Sequence, residues 1–150
     1  MNISFERATL ADVDTLIDIR NKSFYADFVK YGECPGYNSS RESMTTSISS
    51  RISYKILCDN VAVGNITIRD DGNGNYFLGA ICVIPGYENN GIGQLAMRFI
   101  DEQLPDAKHW ALETPADKLR NHYFYKKHGY EITKEYDVGS VRICYFERWV

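Results

Sequence analysis

From Val83 to Gln94 the chain reads Val-Ile-Pro-Gly-Tyr-Glu-Asn-Asn-Gly-Ile-Gly-Gln, a stretch whose chemistry lies in its backbone. An apolar strand, Phe77 to Val83, hands over here to an amphipathic helix, Ile92 to Leu104. A helix start leaves several N–H groups without an intrahelical partner, and the macrodipole adds partial positive charge there. Glycines at 91 and 93 remove Cβ atoms that would hold a ligand away from those donors. Such a segment is suited to an anion of the pyrophosphate type. Glu88, Asn89, Asn90, Gly91, Ile92, Gly93 and Gln94 are therefore the candidate phosphate holders, and a phosphate-bearing cofactor is the first expectation.

Other reactive side chains give weaker signals. Cys34, Cys58, Cys82 and Cys144 are scattered, with no Cys-x-x-Cys pair, so reduced thiols are expected and no disulfide framework. His109, His122 and His128 show no ligand spacing, which argues against a metal site. The acidic run Asp70 to Asn75 lacks the further ligands and the closing Glu of a calcium loop. With a net charge of −3 there is no electrostatic footprint for nucleic acid, whereas an amine substrate suits that sign. No apolar run reaches membrane-spanning length, and Met1 to Glu6 lacks a signal-peptide pattern, so no membrane partner and a cytoplasmic location are expected. The 150 residues suffice for a single domain, 1–150, acting as a monomer or a homodimer.

The elements that must position this chemistry can be read from hydropathy and turn residues. Ile3 to Ala8 alternates as a strand. Thr9 and Asp12 form a capping signal before a helix carrying Val13, Leu16, Ile17, Arg20 and Phe24 at helical spacing. Tyr25 to Ser43 reads as an aromatic loop, with a weaker helix over Ser40 to Ser50. Strands are expected at Ser53 to Cys58 and Val61 to Arg69, joined by Asp59-Asn60, then a turn at Asp70 to Asn75 and a strand at Tyr76 to Ile84. After the helix at 92–104 come a strand (Lys108 to Thr114), a helix (Asp117 to His128) closed by Gly129, and two strands, Tyr130 to Tyr136 and Ser140 to Trp149.

Gly91-Ile92-Gly93-Gln94-Leu95-Ala96 also fits a dinucleotide fingerprint, with Glu113 at a suitable distance. The topology argues against it. In that fold the first glycine comes almost directly after the strand within an initial βαβ unit, whereas Pro85 to Asn90 intervene here and hairpin strands come first. The chain beyond Glu113 is also too short to complete a doubly wound sheet.

The block from Val83 to Tyr130 instead resembles the GCN5-related N-acetyltransferase (GNAT) superfamily. The resemblance rests on Val83-Ile84-Pro85, on Glu88 to Gly93 in place of Gln/Arg-x-x-Gly-x-Gly, on Leu112-Glu113-Thr114, and on Tyr125-Lys126-Lys127-His128-Gly129-Tyr130. Two positions depart from the pattern: Glu88 stands where Gln or Arg is usual, and Lys118 where the second helix usually has asparagine. The resemblance implies an α+β fold: a mixed, mostly antiparallel sheet of six to seven strands, a parallel splayed central pair and helices on both faces. It implies acetyl-CoA as donor and an amine of a small molecule or peptide as acceptor, attacking directly.

Further roles come from the same resemblance. Main-chain groups of Ile81, Cys82, Val83 and Ile84 would pair with the pantetheine arm as an added strand does, one N–H polarising the thioester carbonyl. Glu88 would point to solvent, and Lys118 would either meet the phosphates or be a solvated helix residue. Glu113 is the candidate base for the attacking amine; the same residue also fits a loop cap or an ion pair. Tyr125 is the candidate proton donor to the leaving thiolate and a neighbour of the cofactor; a purely packing role fits its position too. Tyr123 lies on another side of the helix, so only one of the two can face the cofactor. Tyr31, Glu33, Tyr37 and Asn38 fall where the superfamily shapes its acceptor pocket. A CoA-binding module without turnover is the alternative class.

Overall fold

The computed structural model describes residues 1–150. Seven strands form one sheet: β1 (Ile3–Arg7), β2 (Ile52–Cys58), β3 (Val61–Gly72), β4 (Asn75–Val83), β5 (His109–Pro115), β6 (Glu131–Val138) and β7 (Val141–Trp149). Four helices accompany them: α1 (Val13–Tyr31), α2 (Arg41–Ser50), α3 (Ile92–Gln103) and α4 (Leu119–Lys127). The sheet order is β1-β2-β3-β4-β5-β7-β6, and only β4 and β5 run parallel. Element order and architecture agree with the expectation.

Strand alternation divides the core between the two faces. Ile66, Ile68, Leu78, Trp110 and Leu112 pack with Ile92, Ala96, Met97 and Ile100 of α3 and Tyr125 of α4. The other face carries a smaller cluster in which Val13, Leu16 and Ile19 of α1 and Met44 and Ile48 of α2 meet Cys82. No helix is long and apolar enough to cross a membrane.

Two boundaries differ from the sequence reading. Helix α1 does not end near Phe24 but continues to Tyr31, where Gly32 caps it at φ 76° and donates its N–H to Phe28 O. Its last turns expose Tyr25, Phe28 and Val29, so no apolar period marks them as helical. Likewise, Asp70 and Asp71 belong to β3, and the expected turn shrinks to Asn73-Gly74, both at positive φ as a tight hairpin requires.

Gly64 shows how tightly β4 is seated. A Cβ there would lie 2.5 Å from the Cys82 carbonyl oxygen and 2.8 Å from Ile56 Cδ1. Gly64→Ala is expected to destabilise the fold by about 2 kcal/mol, a drop in Tm of roughly 4–8 °C for a domain of this size. Thermal unfolding checks this, and an unchanged Tm would mean that β4 gives way freely.

Candidate active site

β4 and β5 diverge part-way along their length. They pair only at Asn75–His109, Tyr76–Trp110 and Phe77–Ala111. Beyond that point β4 remains paired to β3 as far as Val83, and β5 to β7 as far as Pro115. The β5-facing edge of β4 from Leu78 to Val83 therefore has no partner strand. Unpaired main-chain groups of this kind accept an added extended segment.

The open edge leads into the segment before α3. Tyr87 N–H donates to Ile84 O and Leu95 N–H to Gly91 O, but no main-chain N–H from Glu88 to Gln94 donates to any group of the protein; the Asn90 side-chain amide donates to the Tyr87 and Glu88 carbonyls. Asn89 (φ 63°) and Gly91 (φ 76°) both adopt left-handed backbone. At Gly91 an added Cβ would meet nothing within 4 Å, so this glycine serves backbone conformation beside open space. Gly93 differs: its Cβ would lie 3.1 Å from Phe124 Cζ, so its bareness lets α3 approach α4. Glu88 is exposed, and Arg120 of α4 reaches the loop to donate to Asn89 Oδ1. Sequence reasoning missed Arg120, because only the α3–α4 packing brings it there.

Residues 13–130 match the acetyltransferase (GNAT) family. The chain belongs to that family. It is 32% identical over 114 residues to the uncharacterized protein YrkN of Bacillus subtilis (strain 168), spanning 71% of this chain and 60% of YrkN. The chain thus covers less than two thirds of that relative's length. Among solved structures, the PaiA N-acetyltransferase of Thermoplasma acidophilum in complex with coenzyme A superposes with a TM-score of 0.84 at 17% identity, covering 100% of both chains. A GNAT family acetyltransferase of Elizabethkingia anophelis with acetyl-CoA bound gives 0.72 at 16% identity, covering 99% of both. At these identities the likeness is one of fold.

Against the GNAT frame, the two tyrosines of α4 separate cleanly. Tyr123 is 75% exposed, while Tyr125 is buried among Phe124, Tyr130 and Phe146. Burial, with a smaller contribution from the Cys82 side chain of β4, pushes the Tyr125 pKa well above the usual range. Lys118 caps α4 and is held by Asp27 of α1, Nζ to Oδ2 at 2.7 Å, a tie between helices.

Glu113 lies just beyond the last β4–β5 pair and is exposed. Trp110 and Leu112 enter the α3–α4 core, so alternation directs Glu113 to the α1 face. It neither caps a loop nor pairs with a cation; Tyr136 Oη donates to its Oε2 at 2.6 Å. Tyr145 stands opposite Glu113 on β7, its ring 6.5 Å from that of Phe77. These aromatics were not legible beforehand, since strand register decides which residues flank Glu113.

The end of α1 and the α1–α2 loop behave in two ways. Tyr31 Oη donates to Asp117 Oδ1 at 2.7 Å, and Glu33 Oε1 accepts from Ser140 N–H at 3.4 Å, so both reach the half of the sheet beyond the splay. Tyr37 instead stacks on Phe28, with centroids 4.6 Å apart, and Asn38 N–H donates to Asn21 Oδ1, which folds this part back on α1. Tyr31, at the end of α1, and Glu33 thus tie this region to the β5 and β7 side of the sheet, whereas Tyr37 and Asn38 shape the loop itself.

Proposed function

We propose that this chain is an acetyl-CoA-dependent N-acetyltransferase in which a neutral amine of a small molecule or peptide attacks the thioester directly. The observation that carries this reading is a convergence: unclaimed main-chain N–H groups at residues 88–94, the open edge of β4 beside them, and the buried Tyr125 hydroxyl, which no group of the protein engages. These groups suit a diphosphate, an extended amide-bearing arm and a leaving group in turn. Family membership and the cofactors named for the two solved relatives support the donor.

Acetyl-CoA, when bound, supplies the acyl carbonyl to be attacked and the thiolate that departs. The N–H groups of Asn89 to Gln94 hold the diphosphate, with Arg120 adding a cation near Asn89. Main-chain groups of Ile81 to Ile84 hold the pantetheine arm on the β4 edge. Glu113 accepts the amine's proton and is oriented by Tyr136. Tyr125 donates its proton to the leaving sulfur. The nearby Cys82 thiol is an unsuitable acyl carrier, because burial raises its pKa despite Ser23 and Arg20, and a protonated thiol is a weak nucleophile.

Calorimetric titration of coenzyme A, together with thiol release from acetyl-CoA over an amine panel, tests the reading. No heat of binding, or no amine-dependent thiol release, would overturn it. Glu113→Gln is expected to lower kcat/KM at neutral pH by about tenfold or more. The loss should shrink at alkaline pH, where an alkyl amine of pKa about 10.4 sheds its own proton. Superimposable pH–rate profiles for the two proteins would remove Glu113 from the role of base.

A further inference from the structure

On the α1 face of the sheet, two guanidinium groups are held without a counter-ion. Arg20 turns from α1 onto β3, its Nε donating to Asn65 Oδ1 at 2.9 Å and its Nη2 to Thr67 Oγ1 at 2.7 Å. Asn65 is fully buried, and its Nδ2 donates to Ser53 Oγ at 3.2 Å and Tyr54 O at 3.0 Å. That fixes its carbonyl oxygen towards Arg20. Every partner of Arg20 is neutral. Arg51 precedes β2, and since Ser53 pairs with Thr67, alternation places Arg51 on the same face.

Arg51 extends over β3 to the bulge in β4, where a Cβ on Gly79 would lie 3.2 Å from its Nη1. No carboxylate lies within 4.0 Å of either guanidinium. Two other arginines on the sheet are neutralised: Arg148 is bidentate to Asp101, and Arg69 pairs with Asp71. Burial, with the like charge of Arg51, outweighs the Cys82 thiol and lowers the Arg20 pKa. A partly buried charge lacking an opposite charge is costly, and a ligand that brings one recovers that cost.

We infer that the acceptor amine also carries an anionic group, carboxylate or phosphate, which Arg20 and Arg51 receive beside the Gly79 bulge of β4. The planar guanidinium fork suits the paired oxygens of either group. Gly79 lies on the stretch of β4 that has no β5 partner, so the anion sits beside the open edge proposed to hold the pantetheine arm. That proximity calls for a short spacer between amine and anion, as in an amino acid or a small phosphorylated amine. Glu113 and its Tyr136 partner stand across the strand divergence on β5 and β6, which separates the proton acceptor from the two cations. The inference deepens the transferase reading and rests on it for the identity of the amine's reaction.

The test uses matched acceptors: amino acids against their amides, and phosphorylated amino alcohols against the free amino alcohols. Thiol release from acetyl-CoA is measured for each, and each is titrated calorimetrically into the protein saturated with coenzyme A. At least one anionic series should exceed its neutral partners by about tenfold or more in kcat/KM, the worth of one charge-assisted contact. The favoured series identifies carboxylate or phosphate. Arg51→Gln should abolish that preference through KM, with coenzyme A affinity unchanged, and Arg51→Lys should restore part of it.

Equal or better use of the neutral series, or a preference unchanged in Arg51→Gln, overturns the inference. If coenzyme A binds but no amine reacts, the titrations decide: anion binding lost in Arg51→Gln supports it, and no binding overturns it. Failure of coenzyme A itself to bind would instead strike the transferase reading. Titration of the same anions into the free protein then decides the arginine pair by the same criteria.

Discussion

Replacing Tyr125 with phenylalanine is expected to lower kcat about a hundredfold, the scale of a lost general acid. Coenzyme A affinity should stay within about twofold, since the substitution removes one hydroxyl and no main-chain donor. The ring keeps its contacts with Phe124, Tyr130 and Phe146. Folding should not suffer either, because the buried phenol has no hydrogen-bonding partner in the protein to lose. The pH dependence has a definite sign. Burial disfavours the phenolate, so the folded-state pKa lies above the ordinary tyrosine value of about 10, and the proton is retained throughout the neutral range. No falling limb of kcat below that pH arises from Tyr125. Single-turnover thiol release with the wild type and variant measures the effect; equal turnover would reduce Tyr125 to a packing residue.

Much of this arrangement was readable from the chain because it depends on local order. The strand, the positive-φ residues and the amphipathic start of α3 are neighbours in sequence, so their chemistry is visible as a string. Helical spacing likewise distinguished Tyr125 from Tyr123 before their burial was known. What escaped depends on tertiary placement. Gly93 looked like a second ligand-facing glycine, but Phe124 from α4 occupies the space beside it. Lys118 offered either a phosphate contact or a solvated surface, and Asp27 of α1 takes its charge instead. The end of α1 carried no apolar period because its partners are ion pairs and hydrogen bonds, Lys30 and Tyr31 to Asp117. Arg20 read as one more position on a helix stripe; only the β3 register reveals Asn65 and Thr67 beneath it.

The proposed diphosphate cradle makes the sharpest demand on a single residue. Gly91→Val is expected to weaken coenzyme A binding about a hundredfold, the loss of one or two hydrogen bonds to a charged group at about 1.5–3 kcal/mol each. At φ 76° a β-branched residue is strained by roughly 1–2 kcal/mol or more, so the segment relaxes towards negative φ and turns its N–H groups away. The new side chain meets no protein atom within 4 Å of its Cβ, so it projects into the space that the ligand needs. Gly93→Ala provides the contrast. Its methyl group would press on Phe124, so the cost falls on α3–α4 packing and thermal stability, and affinity should change less. Calorimetry with coenzyme A and thermal unfolding on both variants separate the two roles. Wild-type affinity in a folded Gly91→Val protein would show that the main chain before α3 does not hold the diphosphate, and the cofactor assignment would lose its physical basis.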